Sequence, residues 1–216
     1  MVDIMSERFV RQLEELHVEL ITMGSLCEKA ISLSAKAIQG EGGMTLIGKI
    51  FETEKEIDAQ EREIENLCMK LLLHEHPVAG DLRAISAALK MISDMERIGD
   101  QSQDIAEIAG FVHSTELAGK VHISDMANEA ISMVTMSVDS FVRKDVKLAK
   151  AAIEADDKVD ARFLEVKREL IELVRSDSGD AEYFMDLLMA AKYLERIADH
   201  ATNIAEWVVY SITGER

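Results

Sequence analysis

The sequence predicts an all-α fold of two tandem, pseudo-symmetric three-helix bundles built from six long helices. Three observations lead there. Helix formers dominate the composition, with one proline in 216 residues and only 5% aromatics; Ala, Leu, Met, Glu and Lys all carry high helix propensity. Long amphipathic stretches are separated by short breaker clusters, and no stretch shows the alternation of a strand. The second half of the chain also repeats the first.

The breaks set the elements. A first helix over 4–39 ends in the glycines at Gly40, Gly42 and Gly43, which open a second over 44–75. His76-Pro77 closes that helix, and a third runs over 78–112. The stretch from Gly110 to Gly119 divides the halves, so the first bundle takes residues 1–113 and the second 114–216. A fourth helix over 119–142 stops at Arg143-Lys144-Asp145, a fifth spans 145–175, and Ser176 to Gly179 precede a sixth over 180–213.

The repeat is clearest in the third and sixth helices. Glu96-Arg97-Ile98-Gly99-Asp100 aligns with Glu195-Arg196-Ile197-Ala198-Asp199, and Ile105-Ala106-Glu107 with Ile204-Ala205-Glu206. Asp81 and Asp180 fall at matching helix starts, where first-turn acids suit the dipole. In the preceding helices Glu54-x-x-x-Asp58 corresponds to Asp156-x-x-x-Asp160. A unit of about 100 residues is too long for a solenoid module and suits an up-down-up bundle.

The net charge of −17 opposes nucleic acid and anionic lipid, and favours cations and basic protein surfaces. The longest uncharged run, Ala130 to Val138, falls far short of the roughly 20 residues that span a membrane. The N-terminus lacks the basic and apolar regions of a signal peptide. These features point to a cytosolic protein in which Cys27 and Cys68 are reduced, small core residues.

Helical rotation of about 100° per residue asks where the paired acids point. In the third helix Glu96 falls in the middle of the stripe of Leu82, Ile85, Leu89 and Ile92, and Asp100 close by. In the sixth, Glu195 falls among Phe184, Leu188 and Ala191, with Asp199 toward the edge. Asp156 and Asp160 lie between Ile153 and Phe163, whereas Glu54 and Asp58 are nearer the margin, by Ile50 and Phe51. An unpartnered buried carboxylate costs several kcal/mol, so these acids need protonation, a basic partner or a bound cation. Arg97 and Arg196 point about 100° away, which leaves a cation as the most direct answer. An all-oxygen donor set suits iron, Mn, Mg or Ca; zinc would normally bring His or Cys.

These motifs resemble the PhoU family, regulators of phosphate-specific uptake. The residues that carry the resemblance are His76-Pro77-Val78-Ala79-Gly80-Asp81-Leu82-Arg83, Asp94-Met95-Glu96-Arg97-Ile98-Gly99-Asp100, and Tyr193 through Glu206. The resemblance covers essentially the whole chain. It implies paired three-helix bundles and a cytoplasmic, non-catalytic negative regulator linking the phosphate transporter ATPase subunit to a sensor histidine kinase, often as a homodimer. It also implies metal ions on Glu54, Asp58, Glu96, Asp100, Asp156, Asp160, Glu195 and Asp199; beside those motifs, Asp104, Asn203, Arg97 and Arg196 are additional candidates as ligands or as residues that support them. Two departures stand out. Asp104 faces Asn203 in the alignment, and the sixth helix starts Asp180-Ala181-Glu182 where the third has Asp81-Leu82-Arg83.

Two other readings compete. A metal-independent helical scaffold could use the same acids against basic partner surfaces. A metal-dependent oxidase would need two Glu-x-x-His units, and only Glu14-Glu15-Leu16-His17 has that spacing. His74, His76, His113 and His122 read as helix-end or linker residues, and His200 as an exposed one.

Overall fold

The computed structural model describes residues 2–74, 77–110, 121–176 and 181–215, with side chains from residue 7 onward and excluding that of His74. It contains α1 (Val2–Ile38), α2 (Gly43–His74), α3 (Ala79–Ala109), α4 (Ile123–Arg143), α5 (Val146–Ser176) and α6 (Ala181–Thr213). Every expected helix is present, and no strand occurs among the described residues. The boundary expected at 113/114, together with His76, His113 and Asp180, lies outside the described residues.

The helix ends follow from local chemistry. The α1–α2 turn runs through left-handed Gly40 (φ 81°), Gly42 (φ 70°) and Gly43 (φ 52°). A Cβ on Gly42 would stand 2.7 Å from that of Leu46, so the turn excludes a side chain there. Between α4 and α5, Lys144 adopts φ 52° and returns its backbone N–H to Ser140 and Phe141. Asp145 then caps α5, its Oδ1 accepting from the N–H groups of Lys147 (2.9 Å) and Leu148 (3.2 Å). Pro77 precedes the first turn of α3, and Asp81 lies within that turn.

α1, α2 and α3 pack against one another, as do α4, α5 and α6. The two sets meet through α1 against α4 and α3 against α6, which leaves α2 and α5 outermost. One apolar core runs through both sets. Close approach between the halves relies on small residues: a Cβ on Gly24 of α1 would touch Val138 of α4 at 3.2 Å. α3 and α6 run antiparallel, because Asp94 of α3 meets Asn203 of α6 while Asp104 of α3 bonds Tyr193 of α6. Arg83, at the start of α3, lies against Gly214 just beyond the end of α6, where the helix dipole favours a cation. No helix among the described residues is long and apolar enough to cross a membrane.

Cys27 and Cys68 are buried free thiols. Cys27 Sγ donates to the Met95 carbonyl at 3.4 Å, and burial raises both thiols, Cys68 to about 12. Neither is a thiolate at neutral pH, as expected for core residues.

Candidate functional site

The acid motifs form two clusters, one on α2/α3 and one on α5/α6. In the first, Glu54 is raised above the ordinary carboxylate range by burial and then by Asp58 and Asp100. Glu96 is raised by burial, with Asp100, Glu61 and Asp58 adding to it. In the second, burial and then Asp199, Asp160, Glu195 and Asp157 push Asp156 up to about 6. Asp199 is raised by burial and by Glu195. The antiparallel helix pairs thus bring each i, i+4 acid pair within electrostatic reach of the pair across the groove. Among the described residues, no three His, Cys, Asp or Glu side chains stand close enough, as placed, to hold a metal ion.

The depth of the acids differs from the rotation estimate. The Glu96 side chain is 24% exposed and Asp100 34%; Glu195 is 15% exposed, and Asp160 and Asp199 are exposed. They border the core and do not continue it. The core face of α3 is formed by Ala88, Met91, Met95, Ile98, Gly99 and Ser102 as well as Ile85 and Ile92, whereas Leu82 is 45% exposed. Counting only large aliphatics misplaced the centre of the stripe. α3 has three helical neighbours, and its contact face relies on small and flexible residues.

Arg97 is a second correction. It turns back along the helix, its Nη1 2.9 Å from Asp100 Oδ2 and its Nε 3.5 Å from Glu96 Oε2. The long arginine stem spans the rotation that seemed to separate it from its own motif. Its counterpart Arg196 instead favours the ionised form of Asp104. In the second cluster the nearby cation is Lys192, paired with Glu195 and 5.5 Å from the Phe163 ring. The largest charged influences on Asp156 are all acids. The two clusters are therefore unequal: the first carries an arginine bridge and Glu61, and the second has the larger deficit of positive charge.

Asp104 and Asn203 lie on the α3/α6 seam. Burial and Glu107 raise Asp104, and its hydrogen bond with Tyr193 opposes this. Asn203 Nδ2 donates to Asp94 Oδ1 at 3.1 Å. His200 is not simply exposed: its Nδ1 lies 2.9 Å from the same Asp94 oxygen, with side chains 19% and 17% exposed. Asp94 and Tyr193 occupy equivalent repeat positions, so one seam interaction mirrors the other with exchanged chemistry. Sequence periodicity could not find Asp94, because its partners come from the other half of the chain. Glu61 carried a weak signal, one turn beyond Asp58 on the same helix face. Asp94→Ala should destabilise the protein by about 1–3 kcal/mol by stranding partly buried donors; a double-mutant cycle with Asn203→Ala read by urea unfolding checks this.

Two other described histidines, His17 and His122, serve structure. His17 packs edge-on against Phe141 at 5.7 Å, and burial lowers its pKa. His122, which precedes α4, donates its backbone N–H to Glu169 Oε2 at 3.2 Å and pairs with Glu169 through its ring.

The PhoU domain pattern matches residues 20–109 and 123–208, one copy per half. The chain belongs to the PhoU family. The phosphate-specific transport system accessory protein PhoU homolog of Clostridium acetobutylicum is 34% identical over 215 residues, covering 96% of this chain and 95% of its own. The crystal structure of PhoU from Pseudomonas aeruginosa aligns with a TM-score of 0.84 at 30% identity, covering 96% of this chain and all of that one. The phosphate transport system regulatory protein PhoU from Streptococcus pneumoniae gives 0.85 at 26% identity, covering 96% and 98%. These family structures share the paired-bundle fold.

The raised Asp156 predicts a pH dependence for the metal-free protein. Its folded pKa of about 6 lies above the unfolded value of about 3.9. Between these values the folded state holds the extra proton, so this group's contribution to stability falls as pH rises from about 4 to about 6. Asp156→Asn should therefore be more stable than the parent at pH 7 in chelator, with the difference shrinking by pH 5; urea unfolding at both pH values measures it.

Proposed function

We propose that this protein is a non-catalytic, cytoplasmic regulatory adaptor of phosphate uptake, a negative regulator that couples the transporter ATPase subunit to a sensor histidine kinase and acts as a homodimer. Support comes from its family membership and from full-length relatives named as accessory proteins of the phosphate-specific transport system. The single observation that carries the reading is the acid face repeated in both halves, with acids as the largest charged influences on Asp156.

The same acids are the proposed metal sites. Their donor chemistry fits an oxygen-preferring cation such as iron, Mn, Mg or Ca; zinc fits less well, since the nearby His200 is engaged by Asp94. Glu54, Asp58, Glu96 and Asp100 would hold metal in the first half, and Asp156, Asp160, Glu195 and Asp199 in the second. A bound cation would supply charge neutralisation and a fixed surface potential for partner recognition. Arg97 and Lys192 sit at the rims and would tune the charge left exposed.

One observation favours metal-independent scaffolding in the first half, where Arg97 already bridges Glu96 and Asp100. A pull-down with purified transporter ATPase and sensor kinase, at low salt with and without Mn²⁺, tests the adaptor role. Retention of either partner, reduced by Glu195→Ala plus Asp199→Ala, is expected. No association under any condition would contradict it.

A further inference from the structure

We propose that Lys192 is a built-in counter-cation of the second acid groove, one that an incoming metal ion displaces toward the Phe163 ring. The inference rests on the metal reading of Asp156, Asp160, Glu195 and Asp199, and adds a residue that sets their affinity. Lys192 stands about one turn before Glu195 on α6 and pairs with its carboxylate. Its ammonium also lies 5.5 Å from the centre of the Phe163 ring on α5, within the range of a cation–π contact. It is the leading cationic influence on Asp199. One ammonium therefore pairs with one motif acid, acts on a second and rests against an aromatic wall of the same groove.

The first half meets the same charge problem from different positions. Aligning Glu96 with Glu195 puts Ser93 where α6 has Lys192, and aligning Glu54 with Asp156 puts Glu61 where α5 has Phe163. The lysine and its ring thus occur together in the second half and are both replaced in the first. There the cation is Arg97, 2.9 Å from Asp100 and 3.5 Å from Glu96. The repeat counterpart of Arg97, Arg196, acts instead on Asp104. A planar guanidinium forks two carboxylates and is held by both. An ammonium on a flexible stem is a point charge that exchanges partners readily. The Phe163 ring attracts that ammonium without adding another negative charge to the groove. A divalent ion can therefore take the place of Lys192 beside Glu195 while the lysine keeps a partner.

The other cations near the groove are engaged elsewhere. Arg162 pairs with Glu129 and Glu165 on the α4 side of α5, and Lys158 lines the groove between α4 and α5. His200 is held by Asp94. Lys167 shares the acid face of α5 but stands two turns, about 10 Å, along the helix from Asp160. Among the described residues, Lys192 is the cation paired directly with an acid of the second motif set.

The probe is Mn²⁺, titrated into the Glu96→Ala plus Asp100→Ala protein, which leaves the second motif set intact, and followed by the electron paramagnetic resonance signal of the free ion. Adding Lys192→Met should tighten binding about tenfold, because a positive charge is removed beside a divalent ion. Lys192→Arg keeps the charge and should bind no more tightly than the parent. Phe163→Leu should weaken binding about two- to threefold where Lys192 is present and leave it unchanged where Lys192→Met is present. Lys36→Met, at the end of α1, makes the same change in net charge and should leave the affinity unaltered. In chelator Lys192→Met should melt below its parent, since Glu195 loses its cation, and saturating Mn²⁺ should close that gap; a lysine with a structural role alone would leave the gap open. Unchanged Mn²⁺ affinity in Lys192→Met, an equal gain in Lys36→Met, or an equal effect of Phe163→Leu with and without the lysine would overturn the inference and leave the metal reading standing. No Mn²⁺ binding by the wild type would remove both.

Discussion

Ile98→Ala is expected to destabilise the protein by about 2–5 kcal/mol and to lower its thermal midpoint by about 4–20 °C. Ile98 is fully buried on α3, which packs against α1, α2 and α6 at once. With three helices around it, the site has little freedom to collapse onto the cavity left by truncation. The counterpart Ile197 is equally buried on α6, which meets α3, α4 and α5, so Ile197→Ala should cost a comparable amount. Differential scanning calorimetry of both variants measures this. A loss in one and not the other would contradict the structural equivalence of the two central helices.

Metal loading is expected to act in the opposite direction. Manganese at about a hundred times its Kd should stabilise the wild type by about 2.7 kcal/mol, raising the thermal midpoint by about 5–11 °C. Burial and mutual repulsion among the acids of the second cluster raise the proton affinity of Asp156 and Asp199. Supplying a cation removes that repulsion and should release protons. Asp156→Asn plus Glu195→Gln should then show the inverse pattern, more stable than the parent in chelator and without a gain on adding metal. Functional sites commonly trade stability in this way. Thermal melts of both proteins with and without Mn²⁺ reveal the crossover, and two parallel responses would rule it out.

Helix positions were readable because their punctuation is local. The left-handed glycines at 40, 42 and 43, the lone Pro77, and the Lys144-Asp145 turn with its capping carboxylate act over a few residues, and the sequence displays them directly. The duplication was readable because Glu-Arg-Ile-x-Asp recurs at matching helix positions. The acid pairs were located correctly along the chain, but their depth was overestimated. The core face of α3 depends on Ala88, Met91, Gly99 and Ser102, whose burial is set by neighbouring helices and not by their own hydrophobicity.

What escaped the sequence is the chemistry between halves. Asp94 receives hydrogen bonds from Asn203 and pairs with His200, more than a hundred residues away, and Asp104 bonds Tyr193. Single-helix periodicity contains no record of such pairings. Arg97 escaped for a different reason: its Cβ direction was read correctly, but its guanidinium reaches around the helix to Asp100. These two omissions bear on function, since they make the two acid clusters unequal within a pseudo-symmetric frame.

Elemental analysis of protein purified without chelator tests the central claim most directly. The wild type should carry stoichiometric iron or another oxygen-preferring cation. Glu96→Ala plus Asp100→Ala should lose metal from the first half, and Glu195→Ala plus Asp199→Ala from the second. Metal-free wild-type protein whose stability is unchanged by added cations would contradict the account and leave the acid faces to basic partner surfaces alone.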